Sequence, residues 1–225
     1  MNLHRSKILR RIWYAAIPSF PIQCRLYGLK MLYDFRDNSQ QWYLRDSYIE
    51  DMENIPGVLV PFRGVLWDVG ANVGLYSCMW RKYGGDRAIA FELSPKAASY
   101  ISRNIARNKL SSIEVVARGL SVRPVKYKVP TDSSAGNRIT QPEENSESGT
   151  TMTYHEALEK YGVPNVIKLD VEGYENEFLS DPQFISLVRN NDIRLIVEIH
   201  DPKYIAQFPE LKFTCLNERN FRIQV

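Results

Sequence analysis

The sequence predicts an α/β fold: a mainly parallel, doubly wound sheet with helices on both faces. Three observations carry that reading. Short apolar runs alternate with longer amphipathic segments from Val65 to His200, which is the pattern of repeated βα units. The first of these runs passes straight into a glycine turn, Gly70 to Gly74, and then into a helical segment. Acids stand at or beside the ends of successive runs, at Asp68, Glu92, Asp170 and Glu198, and an open parallel sheet places its ligand crevice beyond those ends.

The elements follow in order. Residues 1–17 read as a helix, stopped by Pro18 and Pro21, with His4, Arg5, Lys7, Arg10 and Arg11 ahead of an apolar stretch of six residues, Ile12 to Ile17. That stretch is far below the about 20 apolar residues of a membrane span and lacks a convincing cleavage pattern. A weak contact of this basic segment with a membrane surface stays open beside packing on the domain. Residues 26–45 read as two short strands with a turn around Asp37-Asn38-Ser39, and Tyr48 to Ile55 as a turn or two of helix. The boundary falls here. Residues 1–57 form a capping segment of helix and β-turn, and residues 58–225 form the domain proper.

Val65 to Val69 is the first core strand, Leu75 onward a helix, and Ala88 to Phe91 a second strand ending in Glu92. Lys96 to Lys109 carries apolar residues at helical spacing with Arg and Asn between them, so it is a helix with one buried face. Ile113 to Ala117 is a third strand, ending near Gly119, Leu120 and Ser121, and Val125 to Val129 alternates as an edge strand does. Thr131 to Thr150 is polar and contains Gly and Ser, which suits a loop or short hairpin that could close over a substrate. Tyr154 to Tyr161 is helical, Val166 to Asp170 a fourth strand, Asn176 to Asn190 another helix and Leu195 to His200 a fifth strand. Phe213 to Leu216 and Phe221 to Val225 form a final hairpin through Asn217 to Asn220.

The chain of 225 residues suits one sizeable domain and is short for two. Its net charge of +3 is too small to argue for nucleic acid. Cys24, Cys78 and Cys215 are odd in number and widely spaced, which points to a reducing, cytoplasmic setting and to no zinc site.

The turn carries the chemistry. In D-x-G-x-N-x-G, residues 68–74, glycines allow tight backbone angles and let a ligand lie against the main chain and the helix N-terminus. Glu92 follows Gly70 by 22 residues, the place of an acid that accepts from both ribose hydroxyls of a nucleotide ligand. The G-x-x-x-G spacing lacks the third glycine of the dinucleotide fingerprint, which argues against NAD.

Five blocks resemble the FkbM-type methyltransferases: W-D-V-G-A-N-V-G-L-Y-S at 67–77, F-E-L-S-P at 91–95, N-I-A-R-N at 104–108, V-I-K-L-D-V-E-G-Y-E at 166–175 and V-E-I-H at 197–200. The resemblance implies a Rossmann-like class I methyltransferase fold with a seven-stranded sheet. It also implies S-adenosylmethionine as donor and a hydroxyl on a sugar, glycan or secondary metabolite as acceptor. Asp68, Gly70, Asn72 and Gly74 would then carry the donor loop, Glu92 the ribose, and Gly119 to Ser121 the region near the adenine. Tyr154-His155 departs from the Leu-Asp often found at that place in the family, which leaves the acceptor side open.

For catalysis the candidates are Asp170, Glu198 and His200. Methyl transfer is an in-line displacement, so the protein aligns the acceptor and can take its proton. His200 has a pKa suited to that work, and Glu198 lies two residues from it on the same strand face. Asp170 could equally bind the donor's amino group, and a divalent metal on Asp170, Glu198 and His200 is a further option. Glu172 and Glu175 read as acids at a solvated helix start. A non-catalytic nucleotide-binding domain of the same fold stays open. So does a nucleic-acid methyltransferase, although no N-P-P-Y-type sequence follows the fourth strand.

Overall fold

The structure is a computed structural model that describes residues 21–34, 59, 61–129, 147–199, 202–216 and 220–225. At its centre β3 (Val65–Val69), β4 (Arg87–Phe91), β5 (Ile113–Val116), β10 (Val166–Leu169), β11 (Arg194–Glu198), β12 (Lys212–Cys215) and β13 (Asn220–Gln224) form a seven-stranded sheet in the order β12-β13-β11-β10-β3-β4-β5. Strand β13 pairs antiparallel with both β11 and β12, while the contacts from β11 through β10, β3 and β4 to β5 are all parallel. The strand order therefore reverses between β3 and β10, and the crevice beyond their carboxyl ends is where a parallel sheet of this kind receives a ligand.

Alternation along the strands sorts the helices onto two faces. Leu66, Ala88, Val166 and Ile196 point to one side and pack with α1 (Leu75–Lys82), through Leu75, Cys78, Met79 and Trp80, and with Tyr100 of α2 (Pro95–Arg107). Trp67, Val69, Ile89, Phe91, Ile167, Leu169, Leu195 and Val197 point to the other. They pack with α3 (Tyr154–Tyr161), α4 (Glu175–Leu179) and α5 (Pro182–Asn190). A strand buried on both faces reads as a continuous apolar run, so the one charged residue within β10, Lys168, stands out.

Several sequence-based boundaries move. A hairpin lies ahead of and within the start of the stretch 26–45, with β1 (Ile22–Leu26) and β2 (Leu29–Tyr33) joined by Tyr27 and Gly28, both at positive φ (50° and 65°). That is the backbone a two-residue hairpin turn needs; the turn expected at residues 37–39 and the strand expected after it lie outside the described residues, as do the helices expected over 1–17 and 48–55. The hairpin packs on α2, where two asparagines four apart fasten β2. Asn104 accepts from Leu32 N (2.7 Å) and donates to Val73 O (3.0 Å), and Asn108 accepts from Lys30 N (2.7 Å) and donates to Lys30 O (2.8 Å).

The helix expected over Asn176 to Asn190 is two. Asp181 caps α5 by accepting from Gln183 N and Phe184 N, both at 2.8 Å, and Pro182 is its first residue. A proline tolerates a first helical turn but not the interior, so the chain breaks there. The expected edge strand around Val125 to Val129 is β7 (Lys126–Lys128). It lies outside the main sheet and pairs antiparallel with β8 (Ser148–Thr150). β6 (Leu120–Ser121) and β9 (Met152–Thr153) make a further short parallel pair. Residues 130–146, most of the expected closing loop, lie outside the described residues.

Candidate active site

The ends of β3, β4 and β10 are tied together by the glycine turn. Gly70 N and Ala71 N both donate to Phe91 O (3.0 Å each), and Asp170 N donates to Val69 O (3.0 Å). Gly70 sits at φ 79°, and a Cβ there would lie 1.7 Å from the backbone oxygen of Asp170. Only glycine permits that approach of β3 to β10. Gly74, at φ 80°, ends the turn as the N-cap of α1, and in the first helical turn Ser77 N donates to the Asp68 carboxylate (3.0 Å).

Glu92 is buried and holds the same turn. One carboxylate oxygen accepts from Asn72 N (2.7 Å), the other from Ser94 N (2.8 Å). An ionised carboxylate has about four acceptor positions, so the two backbone bonds leave room for two hydroxyl donors. Burial pushes the Glu92 carboxyl up to about 7, against the pull of its bonds to Ser94 and Asn72 and with added push from Asp170 and Asp68. Asn72 itself is left-handed (φ 51°), and its Oδ1 is buried with no partner among the described residues.

Asp68 is fully buried on the α1 side of β3. Its Oδ2 accepts from Ser77 N (3.0 Å) and Ser77 Oγ (2.7 Å), while Oδ1 has no partner among the described residues. Burial raises its carboxyl from the ordinary value, countered by Lys168 and the two Ser77 bonds. Directly across the ladder from Asp68 stands Lys168, 1% exposed. Its ammonium donates to Asp170 Oδ2 (2.9 Å) and lies 4.4 Å over the ring of Tyr76. Burial works to lower the Lys168 pKa, yet Asp170, Tyr76, Asp68 and Glu198 together raise it above the usual lysine range.

The structure thus brings Asp68, Gly70, Asn72, Gly74, Glu92 and Asp170 to one crevice, with Glu198 at the end of β11 close enough to act on Lys168. His200 lies outside the described residues, so its convergence with Asp170 and Glu198 is not part of this geometry. No group of three or more His, Cys, Asp or Glu side chains suited to a metal occurs among the described residues. Gly119 follows β5 and packs against Leu93, with the Leu93 Cδ1 atom 2.9 Å from where a Cβ would be. Leu120, beside it, is 2% exposed within the core, and its backbone pairs with Met152.

Glu175 is a correction. It is buried, not solvated, and accepts from Val171 N and Gly173 N (2.8 Å each), so it fixes the loop that follows Asp170. Within that loop Glu172 takes φ 52° and Gly173 φ 100°. The sequence reading also passed over Lys168. A lysine inside an otherwise apolar β10 was the available signal, because an unpaired buried ammonium is too costly to keep.

Comparison with known proteins places this geometry. The curated hexuronic acid methyltransferase AglP of Haloferax volcanii is 31% identical over 164 residues, covering 64% of this chain and 60% of that protein. Methyltransferase sdnD of Sordaria araneosa is 34% identical over 135 residues, covering 54% of this chain and 47% of that one. The chain therefore spans between about half and three fifths of the length of these relatives. Among solved structures, a Pyrococcus abyssi tRNA (uracil-54, C5)-methyltransferase in complex with S-adenosyl-L-homocysteine superposes with a TM-score of 0.50 at 13% identity, over 90% of this chain and 43% of that one. That likeness speaks for the fold alone. The Methyltransferase FkbM domain matches residues 68–223, which runs from the acid of the glycine turn into the last strand, and on that match, with the two curated methyltransferases beside it, the chain belongs to the FkbM methyltransferase family.

Proposed function

We propose that the chain transfers a methyl group from S-adenosylmethionine to a hydroxyl of a sugar, glycan or secondary metabolite. The observation that supports the donor most directly is the pair of buried, unpartnered acceptors at the glycine turn, Asp68 Oδ1 and Asn72 Oδ1. Buried polar atoms without partners are rare unless something else satisfies them, and an amino-acid ammonium supplies the missing donors. Glu92, which accepts from Asn72 N and Ser94 N, has acceptor capacity left for two ribose hydroxyls. Bound there, S-adenosylmethionine supplies a methyl group on an electron-poor sulfonium.

The protein's own part is alignment and proton handling. Asp170, held by Lys168 and by its backbone bond to Val69 O, orients the acceptor hydroxyl and receives its proton in this reading. Glu198 and the sequence-derived candidate His200 are the alternative proton acceptors. The hydroxyl acceptor rests on the family and on the name of the archaeal relative, which acts on a hexuronic acid.

Calorimetric titration with S-adenosylmethionine tests the donor site. Glu92→Ala removes the carboxylate assigned to the ribose, and charge-assisted bonds are worth about 1.5–3 kcal/mol each, so affinity falls at least about tenfold. Wild-type affinity in a folded Glu92→Ala protein would overturn the assignment. Labelled methyl transfer onto a panel of uronic-acid and neutral glycans tests the acceptor class, and incorporation into none of them, with the donor bound, counts against it.

A further inference from the structure

We propose that Asn104 is a positioning residue for the donor loop: its carboxamide joins strand β2 to Val73 in the glycine turn, so that docking of the β1–β2 hairpin and binding of the donor are coupled. This rests on the donor reading above and deepens it.

The block N-I-A-R-N at 104–108 carries two asparagines four residues apart. Four residues of helix rise about 6.0 Å, and two residues of strand advance about 6.6–6.8 Å. Asn104 and Asn108 on α2 therefore match Leu32 and Lys30, alternate residues on the same edge of β2. Each carboxamide does there what a neighbouring strand would do. Asn104 Oδ1 accepts from Leu32 N (2.7 Å) and its Nδ2 donates to Leu32 O (3.4 Å); Asn108 Oδ1 accepts from Lys30 N (2.7 Å) and its Nδ2 donates to Lys30 O (2.8 Å).

A carboxamide has a second N–H to give, and here the two asparagines differ. Asn108 Nδ2 donates within its own helix, to Asn104 O (2.8 Å), whereas Asn104 Nδ2 donates to Val73 O (3.0 Å) in the turn. Asn104 is buried, and it acts on a ligand only through Val73. That residue lies between Asn72, whose buried Oδ1 has no partner among the described residues, and Gly74, the N-cap of α1. Gly70, Ala71 and Asn72 are tied to the end of β4, through Phe91 O and the Glu92 carboxylate. Asn104 ties Val73 to α2 instead. Ile101, three residues before it, packs at the same place, with its Cγ2 atom 2.7 Å from where a Cβ on Gly74 would be. The turn thus rests on the sheet on one side and on α2 on the other, and through Asn104 it meets the hairpin. An asparagine that served only the hairpin would end in its own helix, as Asn108 does. Coupling of this kind is reciprocal: a ligand that orders the turn strengthens the dock of β2, and a loosened dock weakens the ligand.

Calorimetry with S-adenosylmethionine on the full chain compares Asn104→Ala with Asn108→Ala, at a temperature where circular dichroism shows both folded. Both variants loosen β2, but only the first frees Val73. Affinity is expected to fall about fivefold or more in Asn104→Ala and to stay within about twofold of wild type in Asn108→Ala. A loss in Asn104→Ala no greater than that in Asn108→Ala overturns the proposal. Should Asn104→Ala not fold, amide hydrogen exchange on wild type serves instead. Saturating S-adenosylmethionine is expected to slow Leu32 N–H, held by Asn104, more than Lys30 N–H, held by Asn108; equal slowing, or none, overturns it. If wild type binds no S-adenosylmethionine, the donor reading fails on its own. The tie is then judged without ligand by the exchange of Gly74 N–H, which donates to Ala71 O (2.7 Å). That exchange is expected to be faster in Asn104→Ala than in Asn108→Ala, and equal rates overturn the proposal.

Discussion

Glu92 shows how one residue joins folding to ligand binding. Its spacing from Gly70 pointed to a ribose acceptor, and the structure adds that the same carboxylate ties Asn72 and Ser94 in place. Its pH behaviour follows from burial, which raises the carboxyl from 4.5 to about 7. The folded state then binds the proton more tightly than the unfolded chain. This group's contribution to stability is therefore greatest below about 4.5 and is lost as pH rises through about 7, a loss of about 3 kcal/mol at one pKa unit per 1.36 kcal/mol. Donor binding runs the other way, since ribose hydroxyls donate to the ionised form. Affinity for S-adenosylmethionine is expected to weaken by up to about tenfold per pH unit below 7, and to lose that dependence in Glu92→Ala. Calorimetry between pH 5.5 and 8.5 reads both, and an affinity flat across that range in wild type contradicts the assignment.

The element that matters most is the turn between β3 and α1, and its two glycines are not equivalent. At Gly70 an added methyl meets the backbone of Asp170 at 1.7 Å, whereas at Gly74 it meets the Ile101 side chain at 2.7 Å. Backbone cannot yield without parting β3 from β10, while an isoleucine methyl can turn aside. Both positions also carry the left-handed backbone that costs a non-glycine residue about 1–2 kcal/mol. Gly74→Ala is expected to cost about that amount. Gly70→Ala is expected to cost more than about 3 kcal/mol and to abolish donor binding. Urea unfolding of the two variants checks the ranking, which equal costs would reverse. The motif showed in the sequence that glycines were needed. Which of them faces backbone depended on β10, a strand about a hundred residues further along the chain.

At the scale of the molecule, the donor crevice is assembled from strand ends far apart in sequence, so occupancy should be felt by the whole fold. A ligand at a hundred times its Kd stabilises the native state by about 2.7 kcal/mol. For a domain of this size that is a rise in Tm of about 5–10 °C. Thermal unfolding with and without saturating S-adenosylmethionine measures it, and no rise at concentrations where calorimetry detects binding would show that the site and the cooperative core are uncoupled. The described residues contain no helix long and apolar enough to cross a membrane, and Cys24, Cys78 and Cys215 are all free thiols.

The sequence by itself determined the strands of the central sheet, the glycine turn and the acids at the strand ends. Those signals are local: apolar runs such as Val65 to Val69, glycine and asparagine at fixed offsets, and Glu92 at the right distance from Gly70. It also carried the final hairpin, whose two strands are neighbours in the chain. Tertiary structure alone decided what those residues touch. Asn104 reads as a polar residue on a helix until β2 lies against it, and Glu175 as a solvated acid until the Val171 to Gly173 loop folds onto it. Lys168 is the sharpest case. Its charge is visible in the sequence, but its partners, Asp170 beside it and Tyr76 and Asp68 far from it in the chain, come within reach only when β10 docks between β3 and β11, because the energy of a buried charge is set by distance in space and not by position along the chain.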